Sequence, residues 1–170
     1  MVKNKNIIGI IAPRVYSTGG FDPNTRDHIY NELEILLKNH LEKNPSTECI
    51  CGINSGVEQD FIKICIKNKI PYTLCIQYDL QHFENLQDID FNIFLNSAKN
   101  VVKISKGKYS PQKNISKIKF IINNSNKLIL INNVKIPFPF KKFIDSSKEI
   151  LTIENKQNVH GVFRRGSEAE

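Results

Sequence analysis

Glu48-Cys49-Ile50-Cys51-Gly52-Ile53-Asn54-Ser55-Gly56-Val57-Glu58-Gln59-Asp60 is the stretch that decides the fold. Its first six residues have strand character, and Asn54-Ser55-Gly56 makes a tight turn. Val57, Phe61, Ile64 and Cys65 then fall on one face of a helix. Strand, turn and helix in direct succession are the start of a crossover unit, and such units build parallel sheets. The pattern repeats on both sides. Upstream, Asn6-Ile7-Ile8-Gly9-Ile10-Ile11-Ala12 is almost wholly apolar and stops at Pro13, as a strand buried on both faces does. A polar loop with Ser17, Thr18, Gly19, Gly20 and Pro23 follows. Ile29, Leu33, Leu36, Leu37 and Leu41 then mark a helix, capped by Asn24 or Thr25 and stopped at Asn44-Pro45.

Downstream, Ile70 to Ile76 gives a third strand, and Phe83, Leu86, Phe91, Phe94 and Leu95 lie in an interrupted helical region. Asn100 to Ile104 is a fourth strand, Gln112 to Ile122 a helix with an isoleucine stripe, and Lys127 to Ile131 a fifth strand. Beyond Asn132 the pattern weakens: Val134 to Phe140 holds two prolines, and Glu149 to Ile153 reads as a sixth strand. The predicted fold is α/β, a Rossmann-like three-layer sandwich with a mainly parallel sheet of five or six strands. Residues 1–154 form one domain, and 155–170 a polar, flexible tail.

Composition agrees. A chain of 170 residues with 40% hydrophobic and 24% charged residues has the size and balance of one globular domain, which excludes disorder, collagen and a small disulfide scaffold. No apolar run approaches the roughly 18 residues of a membrane span, and the N-terminus lacks a secretory pattern. Cys49, Cys51, Cys65 and Cys75 contain no C-x-x-C pair and read as reduced core residues of a cytoplasmic protein. The histidines, His28, His40, His82 and His160, are scattered, so no metal site and no cofactor are expected. The net charge of +7 invites a nucleic-acid reading, but twenty lysines against four arginines, in a chain rich in Ile and Asn, also fit an A+T-rich coding sequence.

Ligands of open parallel sheets bind beyond the carboxyl ends of the strands, where strand order reverses. Three segments are expected there: Pro13 to Gly20, Gly52 to Asp60 and Gln77 to Gln81. In the second, Gly52 and Gly56 let the backbone come close to a phosphate, Asn54 and Ser55 offer donors, and Val57 begins a helix whose free N–H groups favour an anion. The same features serve a tight, capped turn without a ligand. Glu58 and Asp60 suit the helix dipole, and they can also meet a ribose hydroxyl or act on a glycosidic bond. Arg14, one of few arginines, has the planar fork that suits phosphate. Gln81 with Tyr78 and Phe83 nearby can read and stack on a base, although packing of the rings on the sheet is the more common role.

In that order these segments resemble the SLOG superfamily of Rossmann-like nucleotide-binding proteins, and within it the YpsA-like branch. Pro13-Arg14 with Gly19-Gly20-Phe21-Asp22 carries the likeness after strand one. Gly52 to Asp60 is similar to the branch's G-x-x-x-G-V-D turn. Ile70-Pro71, Tyr78 to Gln81, and Val101 to Ser110 match its third and fourth strands and their loops. The likeness covers about residues 6 to 132. Lys117-Ile118 stands where the branch has an Arg-Asn pair, and Asn123 and Asn126 stand at acidic positions. Ile131 to Pro137 lacks the glycines and glutamate of the P-G-G-x-G-T-x-x-E motif of Lonely Guy-type enzymes.

The resemblance implies binding of a nucleotide or nucleotide-derived ligand, such as an ADP-ribose or cyclic nucleotide signal. Its phosphate would lie on the Gly52 to Val57 turn beside Pro13 and Arg14, its ribose near Glu58 or Asp60, and its base near Tyr78 and Gln81. Two alternatives stay open: a nucleotide N-glycosidase or phosphoribohydrolase with Glu58 as the catalytic candidate, and a non-specific nucleic-acid-binding protein. A homodimer or higher homo-oligomer is compatible with all three, and no membrane partner is expected.

Overall fold

The computed structural model describes residues 6–12, 23–83, 89–131 and 149–153. Six strands form one all-parallel sheet: β1 (Ile7–Ile11), β2 (Glu48–Cys51), β3 (Tyr72–Ile76), β4 (Asn100–Lys103), β5 (Lys127–Ile131) and β6 (Glu149–Ile153), in the order β4-β3-β2-β1-β5-β6. Among the described residues four helices flank it: α1 (Pro23–Lys43), α2 (Val57–Lys67), α3 (Ile89–Ser97) and α4 (Pro111–Asn123). The expected Rossmann-like three-layer sandwich is what the chain adopts. No described helix is long and apolar enough to cross a membrane.

The layers follow from which side chains each strand sends to each face. Ile8, Ile10, Cys49, Cys51, Tyr72, Leu74, Ile129 and Ile131 join Ile29, Leu33 and Leu37 of α1, Phe61 and Ile64 of α2, and Phe91 and Phe94 of α3 in the larger core. Ile50, Cys75 and Leu128 point the other way, onto Ile121 and Ile122 of α4. Strand alternation thus divides a nearly continuous apolar sequence between two cores. Gly9 lets α4 approach β1: a Cβ there would sit 2.8 Å from Ile121 Cγ2 and 3.1 Å from Ser125 Oγ.

Element ends depart slightly from the expected ones. α1 begins at Pro23, a residue whose fixed φ suits a first helical turn, ahead of the expected caps. It stops where expected, and Asn44 N–H still donates to His40 O. β2 ends at Cys51, with Gly52 and Ile53 already in the turn. β3 starts at Tyr72 because the N–H of Ile70 is used to close α2, donating to Cys65 O after Lys69 at φ 56. Of the interrupted helical region, the described residues form a 3-10 turn at Leu80–His82 and helix α3, and 84–88, with Leu86, lie outside them. Val134 to Phe140 and the tail 155–170 lie outside the described residues.

Candidate functional site

Because all strands run parallel, the segments following β2, β3 and β4 share one edge of the sheet. The order reverses between β1 and β5, which is where ligands of such sheets settle. Pro13 and Arg14, together with the rest of the loop after β1, lie outside the described residues. The described part of this edge is the β2–α2 turn, the end of β3 with the 3-10 turn, and the β4–α4 loop.

Gly56 adopts φ 99 and ψ −131, a conformation closed to most side chains, and it stands at the start of α2 with no side chain capping the helix. Both acidic groups of the first turn are buried and paired. Glu58 Oε2 lies 2.9 Å from Lys117 Nζ, and Oε1 accepts the same ammonium at 3.3 Å and the Asn54 N–H at 3.0 Å. The Lys117 side chain is 1% exposed. Asp60 Oδ2 accepts Arg26 Nη2 at 2.8 Å and Nε at 3.2 Å.

Glu58 belongs to one helical layer and Lys117 to the other, and they meet across Gly52 at the end of β2. A Cβ on Gly52 would stand 2.2 Å from Glu58 Oε1 and 2.7 Å from Lys117 Nζ, so the bridge exists because this residue has no side chain. The turn is held from a further side: Gln77, 1% exposed, donates its amide to Asn54 Oδ1 at 3.1 Å, and its Oε1 is buried with no hydrogen-bond donor among the described residues. Gln59 adds a bond from its amide to Ile53 O. Ser55 is exposed at the turn's tip.

Tyr78 is mostly buried, with one face stacked on Phe83 at a centroid distance of 4.2 Å and its neighbourhood shared with Tyr109. Gln81 is exposed, its amide 3.3 Å from His82 Nε2. The residue that β3 sends to the turn is therefore Gln77, while Gln81 contacts its own neighbour.

The edge also carries Asp79, whose Oδ1 faces Lys103 Nζ at 2.7 Å and whose Oδ2 accepts the Gly107 N–H at 2.9 Å. The lysine and then the backbone donor hold this carboxyl below its ordinary value of 3.8. A group depressed in this way stabilises the fold fully above its unfolded value, and the contribution is lost as pH falls through the lower folded one. Urea unfolding should therefore show wild type gaining stability over Asp79→Asn as pH rises through about 4. A difference independent of pH across the acid range would remove the charge from this role.

The thiols are buried and free. Burial pushes Cys75 up to about 12 and Cys51 well above the ordinary thiol range, which opposes nucleophilic use. Among the described residues no group of three or more His, Cys, Asp or Glu side chains is placed to hold a metal ion.

Sequence reasoning picked the turn and its two acids but missed their partners, Lys117 and Arg26. Lys117 left a signal: it lies four residues before Ile121, inside the apolar side of α4, where a lone charge needs a counterpart. No known protein-family model matches the chain, and no curated protein matches it.

Proposed function

We propose that the protein binds a nucleotide or nucleotide-derived ligand at the carboxyl edge of the sheet, with a phosphate on the Gly52–Val57 turn. The observation that carries this reading is the start of α2. It is an uncapped helix end, with glycine at the cap, beside a parallel strand, and its nearby carboxylates are already neutralised by Lys117 and Arg26. The positive end of the helix is thereby left to an outside anion. In this reading Glu58 holds the turn rather than touching ribose, since Lys117 and the Asn54 N–H occupy its oxygens. The unmatched Oε1 of Gln77 is an acceptor that a ligand hydroxyl or amine can satisfy directly or through water. A cytoplasmic location is part of the same reading and accords with four free thiols.

The test is a thermal-shift titration with nucleoside monophosphates, dinucleotides, ADP-ribose and cyclic nucleotides, each mixture then chromatographed. Ligand at a hundred times its Kd stabilises by about 2.7 kcal/mol. For a chain of this size that raises Tm by roughly 5–11 °C. Ser55→Asp puts a negative charge at the exposed tip of the turn and should abolish the shift, with the variant's own unliganded Tm as the baseline. Recovery of intact ligand fits binding, whereas release of free base would make the protein a hydrolase. No shift with any member of the panel would defeat the reading.

A further inference from the structure

Residues 91–131 contain eight lysines, at 99, 103, 106, 108, 113, 117, 119 and 127, and no aspartate or glutamate. This stretch alone carries more positive charge than the net +7 of the whole chain. The structure sorts these lysines. Lys99 meets Glu48, Lys103 meets Asp79, Lys117 meets Glu58 and Lys127 meets Glu149, each carboxylate coming from another segment. Lys119, exposed on α4, has a contact of its own. Lys106, Lys108 and Lys113 form no ion pair with any described carboxylate; the first two lie in the β4–α4 loop and the third in the first turn of α4, its ammonium turned back onto that loop.

That loop is built to a fixed shape. Asp79 and Gly107 exchange two hydrogen bonds: the Asp79 N–H donates to the Gly107 carbonyl at 3.0 Å, and the Gly107 N–H donates to Asp79 Oδ2 at 2.9 Å. Gly107 takes φ 76, and Lys113 Nζ donates to the carbonyls of Lys106 and Lys108. The exposed side chains of Lys106 and Lys108 flank this knot. Beside them Tyr109 is 46% exposed and lies edge-on to Tyr78, which is itself stacked on Phe83. Ser110 caps α4, whose first turn has no acid to offset its positive end.

We propose that the β4–α4 loop binds single-stranded nucleic acid, with backbone phosphates at Lys106, Lys108 and Lys113 and a base on the ring of Tyr109. Lysines alone would serve any polyanion. The exposed ring, set edge-on against Tyr78, selects a strand whose bases are free to stack. A duplex keeps its bases paired and offers this ring nothing. The proposal is independent of the nucleotide site at the β2–α2 turn.

The experiment is fluorescence anisotropy of the full chain with labelled oligothymidylate and oligouridylate of about 12 nucleotides, from about 50 to 200 mM salt. Three phosphate contacts predict a slope of log K against log salt near about −2 for single strands, and Lys106→Gln/Lys108→Gln should flatten it by about 1.4. Tyr109→Ala should weaken binding about tenfold or more with the slope kept, and Tyr109→Phe should restore it. These substitutions are at exposed positions, and an unchanged Tm confirms the fold. This pattern with either strand supports the proposal, the tighter one identifying the sugar. It is overturned if neither strand binds at the lowest salt, if the variants bind like wild type, or if duplex of the same length binds equally well. Displacement of the strand by excess AMP would also overturn it, by placing the strand in the nucleotide site.

Discussion

Replacing Lys117 with alanine is expected to destabilise the protein by about 3–5 kcal/mol, because it leaves the Glu58 carboxylate buried without its cation. The pair is almost fully shielded, with the two side chains 1% and 9% exposed, so water cannot take the place of the lost ammonium. The expected rescue separates this cause from loss of packing. In Lys117→Met/Glu58→Gln both charges are gone, an oxygen remains to accept the Asn54 N–H, and the methionine refills the stem's volume. Most of the lost stability should return, since a buried ion pair exchanged for neutral groups of similar size is often close to neutral. Denaturant unfolding of the two variants measures both effects. A loss below about 1 kcal/mol for Lys117→Ala, the range of exposed ion pairs, would mean that the carboxylate is compensated by something other than this lysine.

Gly52→Ala should be nearly as costly. Overpacking by one methyl group costs about 1–3 kcal/mol where neighbours can shift. Here the atoms in the way are Glu58 Oε1 at 2.2 Å and Lys117 Nζ at 2.7 Å, so moving aside means loosening the ion pair as well. The two causes are coupled, and a mutant cycle exposes the coupling. In a background with Glu58→Ala and Lys117→Ala the added methyl meets neither tip, and the cost of Gly52→Ala should shrink by at least about 0.5 kcal/mol. Additive costs would place the obstruction elsewhere. The variant also bears on the ligand reading, because a turn whose Asn54 anchor is displaced should bind a phosphate more weakly.

How far the sequence carried these conclusions depends on whether the cause of a feature is local. β1 and β5 were legible because Ile7 to Ile11 and Lys127 to Ile131 are short, dense, isoleucine-rich apolar runs, too short for a helix and suited to a strand covered on both faces. The β2–α2 turn was legible because Gly56 and the apolar spacing after it are neighbours in the chain. The bridge over that turn was not. Lys117 is 59 positions from Glu58, and it is drawn inward by a carboxylate that only the assembled sheet delivers. Arg26 was passed over for the same reason, since nothing nearby in sequence announces Asp60 as its partner. Gln77 and Gln81 both follow β3 and look alike as letters. Only the chain's path, which leaves strand geometry after Ile76 and enters a 3-10 turn at Leu80, sends the first amide to Asn54 and the second to His82.

The position of β4 has a consequence for solubility. Among the described residues it is a border strand of the sheet, four residues long, with Val101 48% exposed, and a border strand is a template on which another chain's strand can grow. Lys99 and Lys103 stand at its two ends, half-exposed and each tied to a carboxylate of an inner segment, Glu48 and Asp79. A second molecule aligning its own border there would have to seat its strand among these fixed charged side chains and strip water from them, and charge on a border strand disfavours such pairing. The ties that fasten β4 to the sheet thus also guard it against stacking into aggregates.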